Sequence, residues 1–596
     1  MIRRILSLAL VGVLALAIFA ACQSSAPTLS PTAAPTEVSL AAATVAASPT
    51  AAAASSPAPT ATVVAPATPT ESSQAQATVS APASAAVQIA LADDAITVDG
   101  DGVTVNGNVA TIARAGVYSL SGALSDGQIV VDTTDEGPVQ LILDGVKLAN
   151  ASSAPLFIAA AEQVEIVLAD GTTNTLTDGA TYIFADPEED EPDGALFSKA
   201  DLTISGNGAL VVTGNYEDGI VSKDGLVIVG GDITVTAADD GIRGKDYLLV
   251  TNGIITVQAQ GDGLKSSNDE EATKGYVAIE NGMITVMAGD DAISAETDVL
   301  ISNGQFILVS GNGRNPSAED ISAKGIKAGR SITIDDGVFS VEATDDALHA
   351  NDSLTINGGL FTLASGDDAI HAENTLTIND GEIRITESVE GIESILITIN
   401  GGVIDLVSSD DGINAAGNDN GSNQLFIHGG DIAVNAAGDG IDVNGSIEMT
   451  GGVVIVNGPT ENMNGALDFD ATFDISGGFL AAAGSAGMAQ APSASSSQRS
   501  LMLNFPSMLP AGTIVHIQTG SGDSLLTFAP LKAFQSLVFS SPALVQGDAI
   551  EIYYGGSASD RLDSGLYQGA YTPGEQVASF TVSDVVTVIG NRPRFR

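Results

Sequence analysis

Aspartate residues that recur at a fixed spacing have the clearest chemical potential in this sequence. Each precedes glycine or alanine and an aliphatic residue, as at 240–242 and 262–264, and several follow a second aspartate. If equivalent residues stack, their carboxylates lie about 4.8 Å apart and repel each other by roughly 1 kcal/mol in water. A bound cation would offset this repulsion. The candidate metal ligands are Asp239, Asp240, Asp262, Asp290, Asp291, Asp345, Asp346, Asp367, Asp368, Asp410 and Asp411.

Calcium is the cofactor that this set of oxygen ligands suits best. It takes six to eight oxygens in flexible geometry, and turns supply both carboxylates and backbone carbonyls. Zinc, copper and iron prefer histidine and cysteine, and the sequence has four histidines and one cysteine. The alternative is that Asp-Gly is simply favourable turn chemistry. For any single aspartate this turn explanation is at least as good as calcium. The doubled column as a whole favours calcium.

A second series, mostly basic, lies three positions after the aspartates, and two further lysines lie near the same ridge. The intervening aliphatic residue should point inward, so these side chains should point outward beside the carboxylates. They would suit an anionic sugar, with calcium bridging its carboxylate. The alternative is an ion-pair ladder that only neutralises the aspartates. The candidate ligand-binding residues are Lys223, Arg243, Lys245, Lys265, Lys327, His349 and His371.

The repeat that carries both series predicts the fold. The aspartate marks return every 22 residues over long stretches, which indicates a solenoid. Within one repeat, such as 353–372, short alternating apolar runs are separated by Gly, Asn and Asp, a pattern typical of strands. The sequence predicts an all-β protein, a right-handed parallel β-helix with three short strands in each coil of about 22 residues.

The start of the chain predicts export and anchoring. Arg3 and Arg4 precede an apolar run that ends at Cys22, and this resembles a bacterial lipoprotein signal. We therefore expect 1–21 to be a lipoprotein signal peptide and Cys22 to be lipidated at the cell surface; an ordinary signal peptide is the alternative. Residues 22–86, rich in Ala, Pro, Thr and Ser, predict a disordered spacer.

The remaining segments follow from how regular the strand pattern is. Residues 87–192 predict irregular β coils that cap the open end of the stack, and 193–482 predict the regular parallel β-helix. Small residues at 483–499 predict a linker. Irregular strands at 500–596 predict a small C-terminal β appendage or cap.

Several strings carry a family resemblance. They are LADGTTNTLTDG at 168–179, DLTISGNGALVVTGNYEDGIVSKDGL at 201–226, GSAGMAQAP at 484–492 and Tyr-Tyr-Gly-Gly at 553–556. The sequence resembles a family of bacterial surface proteins described as carbohydrate-binding, over nearly everything from about 90 to 575. The resemblance implies a parallel β-helix similar to calcium-dependent pectate lyases, and binding of cellulose or acidic sugars.

Together these patterns predict a non-catalytic, calcium-binding, carbohydrate-binding lipoprotein that holds acidic, uronate-type or plant-cell-wall polysaccharide as a monomer. The chain has no Trp and 4% aromatic residues, which favours acidic sugars over crystalline cellulose, whose binding relies on stacked rings. A calcium-dependent polysaccharide lyase, with a Lys or Arg base, and a structural or adhesive stalk are the alternatives. The net charge of −52 excludes nucleic acid as a partner.

Overall fold

The computed structural model describes residues 86–590, apart from 94, 185, 187, 189, 312–321 and 418–421. The predicted signal peptide, Cys22 and nearly all of the predicted spacer lie outside these described residues. The described part consists of strands and turns without a helix. Accordingly, no helix in this part is long and apolar enough to cross a bilayer.

Ten strands form the N-terminal coils, and they begin with two hairpins. The strands are β1 (Val87–Asp93), β2 (Ala95–Asp99), β3 (Val103–Asn106), β4 (Val109–Ile112), β5 (Gly116–Leu124), β6 (Gln128–Asp132), β7 (Val139–Ala149), β8 (Leu156–Ala160), β9 (Gln163–Leu168) and β10 (Thr173–Thr177). β1 pairs antiparallel with β2, and β3 with β4. From β5 onward the pairing between coils is parallel, as in β5–β7 and β6–β8.

The regular coils follow. Their strands are β11 (Gly194–Ser198), β12 (Asp201–Gly206), β13 (Ala209–Gly214), β14 (Asp218–Ser222), β15 (Gly225–Ile228), β16 (Asp232–Ala237), β17 (Ile242–Gly244), β18 (Tyr247–Val250), β19 (Ile254–Gln258), β20 (Leu264–Ser266), β21 (Tyr276–Ile279), β22 (Met283–Ala288), β23 (Ile293–Ala295), β24 (Asp298–Ile301), β25 (Gln305–Ser310), β26 (Ile326–Ala328), β27 (Ser331–Ile334), β28 (Val338–Ala343), β29 (Leu348–Ala350), β30 (Ser353–Ile356), β31 (Leu360–Ser365), β32 (Ile370–Ile378), β33 (Glu382–Glu387), β34 (Ile392–Ile399), β35 (Val403–Ser408), β36 (Ile413–Ala415), β37 (Asn423–Ile427), β38 (Asp431–Ala436), β39 (Ile441–Val443), β40 (Gly445–Met449), β41 (Val453–Asn457), β42 (Asp468–Phe469), β43 (Phe473–Ile475) and β44 (Phe479–Gly484).

Three parallel ladders run along these coils. The first contains β14, β17, β20 and their equivalents, the second β15, β18 and β21, and the third β16, β19 and β22. β32 and β34 are longer strands, and each contributes residues to both the first and the second ladder. The chain makes about 15 turns of solenoid. The predicted all-β parallel β-helix is confirmed.

Alternation of side chains along each strand builds the core. In β22, Ile284 and Val286 are buried, whereas Met283, Thr285 and Met287 face outward. Equivalent inward residues stack from coil to coil, so Phe306, Phe339 and Phe361 lie above one another with ring centroids 4.5 and 4.6 Å apart. Burial of these apolar columns at roughly 25 cal/mol per Å² drives the stacking of coils that have little core of their own.

Packing explains the glycine that follows the recurring aspartate at position 240. A Cβ placed on Gly241 would lie 2.3 Å from the Val257 side chain and 2.6 Å from the Gly263 carbonyl oxygen. At the turn between the second and third ladders the reason differs, because Gly253 has a φ of 131°, which disfavours any side chain. The two glycine positions therefore shape the two turns that border the third ladder.

The C-terminal residues continue the last coil. Their strands are β45 (Ser500–Leu509), β46 (Val515–Thr519), β47 (Ser524–Phe528), β48 (Phe534–Ser540), β49 (Ala549–Tyr554), β50 (Ser557–Ala558), β51 (Tyr571–Thr572), β52 (Glu575–Thr581) and β53 (Val586–Ile589). β48 pairs antiparallel with both β44 and β45, so it covers the edge of the last third-ladder strand. Residues predicted as a linker pack on the same end, where Ser493 Oγ and Ser496 Oγ accept bonds from the backbone N–H groups of Phe473 and Ile475.

Candidate functional site

The recurring aspartates form one continuous column, which we call the acid ridge. Its members lie at the turn between the third and first ladders, and they are Asp218, Asp240, Asp262, Asp291, Lys324, Asp346, Asp368, Glu390, Asp411 and Asp439. The backbone N–H of Asp262 donates to Oδ1 of Asp240 at 2.9 Å, and the N–H of Asp291 donates to Oδ1 of Asp262 at 3.0 Å. The same bond recurs at Asp218, Asp291, Asp346 and Asp411. One oxygen of each of these carboxylates therefore joins one coil to the next.

The second oxygen of the carboxylates in the first half of the ridge contacts a cation. Lys265 Nζ lies 3.0 Å from Asp240 Oδ2 and 2.8 Å from Asp262 Oδ2. Lys327 Nζ lies 3.0 Å from Asp291 Oδ2. This arrangement is the one that the ion-pair ladder interpretation describes, and the use of these lysines for a sugar stays a prediction.

One arginine and two histidines extend this ion-pair ladder. Arg243 contacts Asp218 at 2.5 Å and Asp193 at 2.7 Å. His349 Nδ1 lies 2.6 Å from Asp346 Oδ2. His371 Nδ1 lies 2.8 Å from Asp368 Oδ2. The structure thus places five of the seven predicted ligand-binding residues on the ridge, each against an acid.

The other two predicted ligand-binding residues, both lysines, are not part of the ion-pair ladder. Lys223 Nζ pairs with Glu191 at 2.7 Å, and Lys245 makes no ion pair within the described residues. Sequence reasoning did not propose Lys324, which occupies a ridge position itself and reaches Asp345 Oδ2 at 2.5 Å. The signal for it was present, because Lys-Gly-Ile at 324–326 replaces Asp-Gly-Ile in the repeat.

The second half of the ridge, which here means the part from Glu390 to Asp439, has no such cations among the described residues. The position three residues after the ridge changes to Glu393, Asn414 and Asp442, which lie in register with one another. Burial, and then repulsion from Asp411 and Asp439, raises the pKa of Asp442 to about 7. Among the described residues no Lys, Arg or His forms an ion pair with these acids, and Asn414 Oδ1 is buried there without a hydrogen-bond partner. This half of the ridge is electrostatically strained at neutral pH.

Among the described residues, carboxylate clusters of the kind that hold a metal include three on the ridge. In each, one oxygen from every member lies within 4.8 Å of the others. The clusters are Asp262, Asp290 and Asp291; Asp345, Asp346 and Asp367; and Asp367, Asp368 and Glu390. Lysines contact the first two clusters. Within the described residues no lysine contacts the third, whose basic neighbour is His371, 2.8 Å from Asp368.

The third cluster fits calcium by the chemistry of its donors. All three side chains offer oxygen, which is the ligand that calcium prefers. Burial, followed by the contact with Asp368, raises the pKa of Glu390 to about 8. The raised pKa favours a proton between Glu390 and Asp368, and a calcium ion would take the place of this proton.

The four remaining predicted metal ligands lie elsewhere along the ridge, as two pairs. Asp239 and Asp240 point Oδ1 at Gly261, where an added Cβ would lie 2.4 and 2.7 Å from them. Asp410 and Asp411 point Oδ1 at Gly438, where an added Cβ would lie 2.3 and 2.4 Å from them. The glycines leave room for paired carboxylates in successive coils.

A second surface, absent from the sequence-based expectations, runs along the outer face of the third ladder. We call it the uncharged strip, and its residues are Ile254, Thr256, Met283, Thr285, Gln305, Ile307, Val338, Ser340, Leu360 and Thr362. Its apolar members are 48–55% exposed. It is about 20 Å long, since it spans five strands at about 4.8 Å each, and Asp232 and Glu382 lie at its two ends.

A groove flanks this strip on the side away from the acid ridge. Its volume is about 950 Å³, and Asn252, Asn281 and Asn303 line it together with Ile254 and Met283. Asn252 Oδ1 accepts a bond from the N–H of its own turn at 2.9 Å, and Asn303 Oδ1 does the same at 2.7 Å. Within the described residues the Nδ2 groups of these asparagines have no partner, so they remain available as donors.

These features define a class of protein: a parallel β-helix whose surface features repeat along the stack instead of converging on one irregular centre. Residues 106–369 and 370–521 match the family model described as "Carbohydrate-binding domain-containing protein". The match covers more than two thirds of the chain. The chain therefore belongs to this family.

Similarity to individual proteins is more partial. A relative in Acetivibrio thermocellus, named "Carbohydrate-binding domain-containing protein", is 43% identical over 151 residues, which are 25% of this chain and 53% of the relative. The chain thus spans about half the length of this curated relative. A solved structure, the polysaccharide lyase-like protein from C. thermocellum as a gadolinium derivative, is 38% identical, with a TM-score of 0.38 over 42% of this chain and 97% of that chain.

Proposed function

We propose that this protein holds polysaccharide without cleaving it, at the outer cell surface, and that it takes calcium on the acid ridge. The observation that carries the proposal is the uncharged strip. A chain with a net charge of −52 leaves ten neighbouring outward positions without charge, next to a groove lined by amide donors. Membership of a carbohydrate-binding family supports this use of the surface.

The strip matches the two kinds of surface that a sugar chain offers. Pyranose rings have apolar C–H faces, for which Ile254, Met283 and Leu360 provide half-exposed contacts. Sugar hydroxyls both donate and accept hydrogen bonds, and the Thr hydroxyls and Asn amides of the strip and groove do the same. Because these groups repeat at coil spacing, the sugar chain lies along the solenoid axis.

Calcium provides a second contact, for uronate units. The cluster of Asp367, Asp368 and Glu390 has the oxygen donors, and among the described residues its basic contact is His371 and not a lysine. An ion held there keeps open coordination positions, which a sugar carboxylate can fill. Acidic polysaccharide therefore binds at the ridge with calcium, whereas uncharged chains use the strip without it.

The basic residues of the ridge argue against catalysis. A lyase base must lose its proton near neutral pH. Burial lowers the pKa of Lys265, but Asp262 and Asp240 raise it further, so the net change is upward. Lys327 and Arg243 shift in the same direction for the same reason. All three hold their protons, which suits binding and structure and not proton abstraction.

Retention of a neutral β-glucan and of polygalacturonate by the full-length chain tests the proposal. Met283→Glu should abolish retention of the neutral polymer, because a charge would be buried against sugar, whereas the matched change Met508→Glu in the C-terminal strand β45 should have no effect. Glu390→Gln should reduce calcium binding by calorimetry and calcium-dependent retention of polygalacturonate. Failure to retain either polymer would leave the structural-stalk alternative, and release of unsaturated uronate would identify a lyase.

Attachment at the surface is tested separately. We expect cells that express the protein to incorporate a labelled fatty acid into it, and Cys22→Ser to abolish the label and release the protein from the membrane fraction. Labelling that persists in Cys22→Ser would contradict the proposed anchor. Retention of polysaccharide should be the same in both forms, because Cys22 belongs neither to the uncharged strip nor to the acid ridge.

A further inference from the structure

Two of the four histidines lie side by side on the ridge. His349 in β29 and His371 in β32 are register partners in adjacent coils, and their ring centroids are 4.9 Å apart. The other two lie elsewhere, since His428 follows β37 and His516 is buried in β46. Histidine on adjacent parallel strands places two imidazoles within reach of one metal ion.

The orientation of both rings is set by the ridge behind them. Nδ1 of His349 faces Asp346 Oδ2 at 2.6 Å, and Nδ1 of His371 faces Asp368 Oδ2 at 2.8 Å. A metal-binding imidazole characteristically donates its other N–H to a carboxylate, which fixes the ring and strengthens the ligand. Both rings already have this support, and they leave Nε2 on the outer side.

Oxygen ligands lie on that outer side. Asn351 Oδ1 is 3.0 Å from His349 Nε2, and Glu373 Oε1 is 3.9 Å from His371 Nε2. Asn351 and Glu373 occupy the same position, two residues after each histidine. Two imidazoles and a carboxylate, with a fourth position for an amide oxygen or water, form a donor set typical of zinc and related divalent ions.

We propose that His349 Nε2, His371 Nε2 and Glu373 bind a divalent transition-metal ion of the zinc class. The site is distinct from the proposed calcium cluster, which offers oxygen alone. Each ring that is protonated at Nε2 releases that proton to solvent when the metal–nitrogen bond forms.

Zinc titration of the full-length chain tests this site. We expect one zinc ion to bind, with proton release seen as a dependence of the calorimetric heat on the buffer. Cobalt should give the visible absorption of a nitrogen-containing tetrahedral site. The titration is done without calcium, because the proposed calcium cluster includes Asp368, which supports the His371 ring.

Variants separate this site from adventitious binding. His349→Gln and His371→Gln should each weaken zinc binding at least about tenfold, Asp368→Asn should weaken it by about 10- to 100-fold through the loss of ring support, and His428→Gln should have no effect. Glu373→Gln changes an exposed side chain and should also weaken binding without affecting the fold. No zinc binding, unchanged binding in His371→Gln and Glu373→Gln, or equal weakening in His428→Gln would each overturn the proposal.

Discussion

Replacing Asp442 by Asn should stabilise the protein at alkaline pH and have little effect at acid pH. Asp442 lies on the half of the ridge without cations, and burial followed by Asp411 and Asp439 raises its pKa to about 7. A raised pKa means that the folded state binds more protons than the unfolded state between about pH 4 and pH 7. The ionised side chain therefore destabilises the fold increasingly as pH rises through this window, and the full effect is present above pH 7.

The size of the effect follows from that shift. A change of about 3 pH units corresponds to about 4 kcal/mol at most. Asp442 is only partly buried, and screening by solvent reduces this ceiling to about 1–3 kcal/mol. We expect Asp442→Asn to raise the free energy of unfolding by this amount at pH 8, and by less than about 1 kcal/mol at pH 4, where the folded-state carboxyl is protonated and the unfolded one is only about half ionised.

Urea unfolding followed by circular dichroism at pH 4 and pH 8, with EDTA present, measures this difference. Asp336→Asn is the matched control, since it also removes one negative charge, but at a turn where other coils use Asn and Asp336 Oδ1 accepts a bond from Gly337. Equal stabilisation at both pH values, equal stabilisation by Asp336→Asn, or no stabilisation at pH 8 would refute the reasoning.

Two further changes probe the ladder and the core. Lys265→Met should lower the free energy of unfolding by about 2–4 kcal/mol at pH 7, because it leaves Asp262 without a cation and Asp240 with only Arg243, at 3.8 Å. Lys245→Met should change it by less than about 0.5 kcal/mol, and similar effects of the two changes in urea titrations would contradict the ion-pair ladder. Phe339→Ala should cost about 3–5 kcal/mol, since the ring is 2% exposed between two stacked phenylalanines, and a loss below about 1 kcal/mol would show that the coils collapse into the cavity.

Much of the fold could be predicted from the sequence, because the residue pattern of a solenoid repeats once in every coil. The interval between successive marks, the short alternating runs and the glycine turns together predicted three strands per coil, and pairs such as β17–β20 show them. Irregular regions were less accessible. The hairpins at β1–β4 and the antiparallel pairing of β44 with β48 do not repeat, so no period reveals them.

For the acid ridge, the sequence predicted the positions of the residues, and the structure decided which residues contact one another. Its position and its outward cations followed from periodicity, but sequence reasoning left open whether Lys265 and Lys327 serve a ligand or the aspartates. Distances of 2.8–3.0 Å to Asp262 and Asp291 show that each has an acid partner. Only the structure decides this, because an ion pair depends on the position of the charged group at the tip of a flexible side chain and not on the position of its Cα.

The sequence by itself determined the solenoid, the acid ridge and the small residue after each ridge position, since each arises from contacts between residues one repeat apart. Tertiary structure alone decided which acids lack a cation, which outward positions form an uncharged strip, and that the imidazoles of His349 and His371 share an outer side with Glu373. The physical reason is that these properties depend on distances between side chains in different coils and on the solvent that the neighbouring coils exclude.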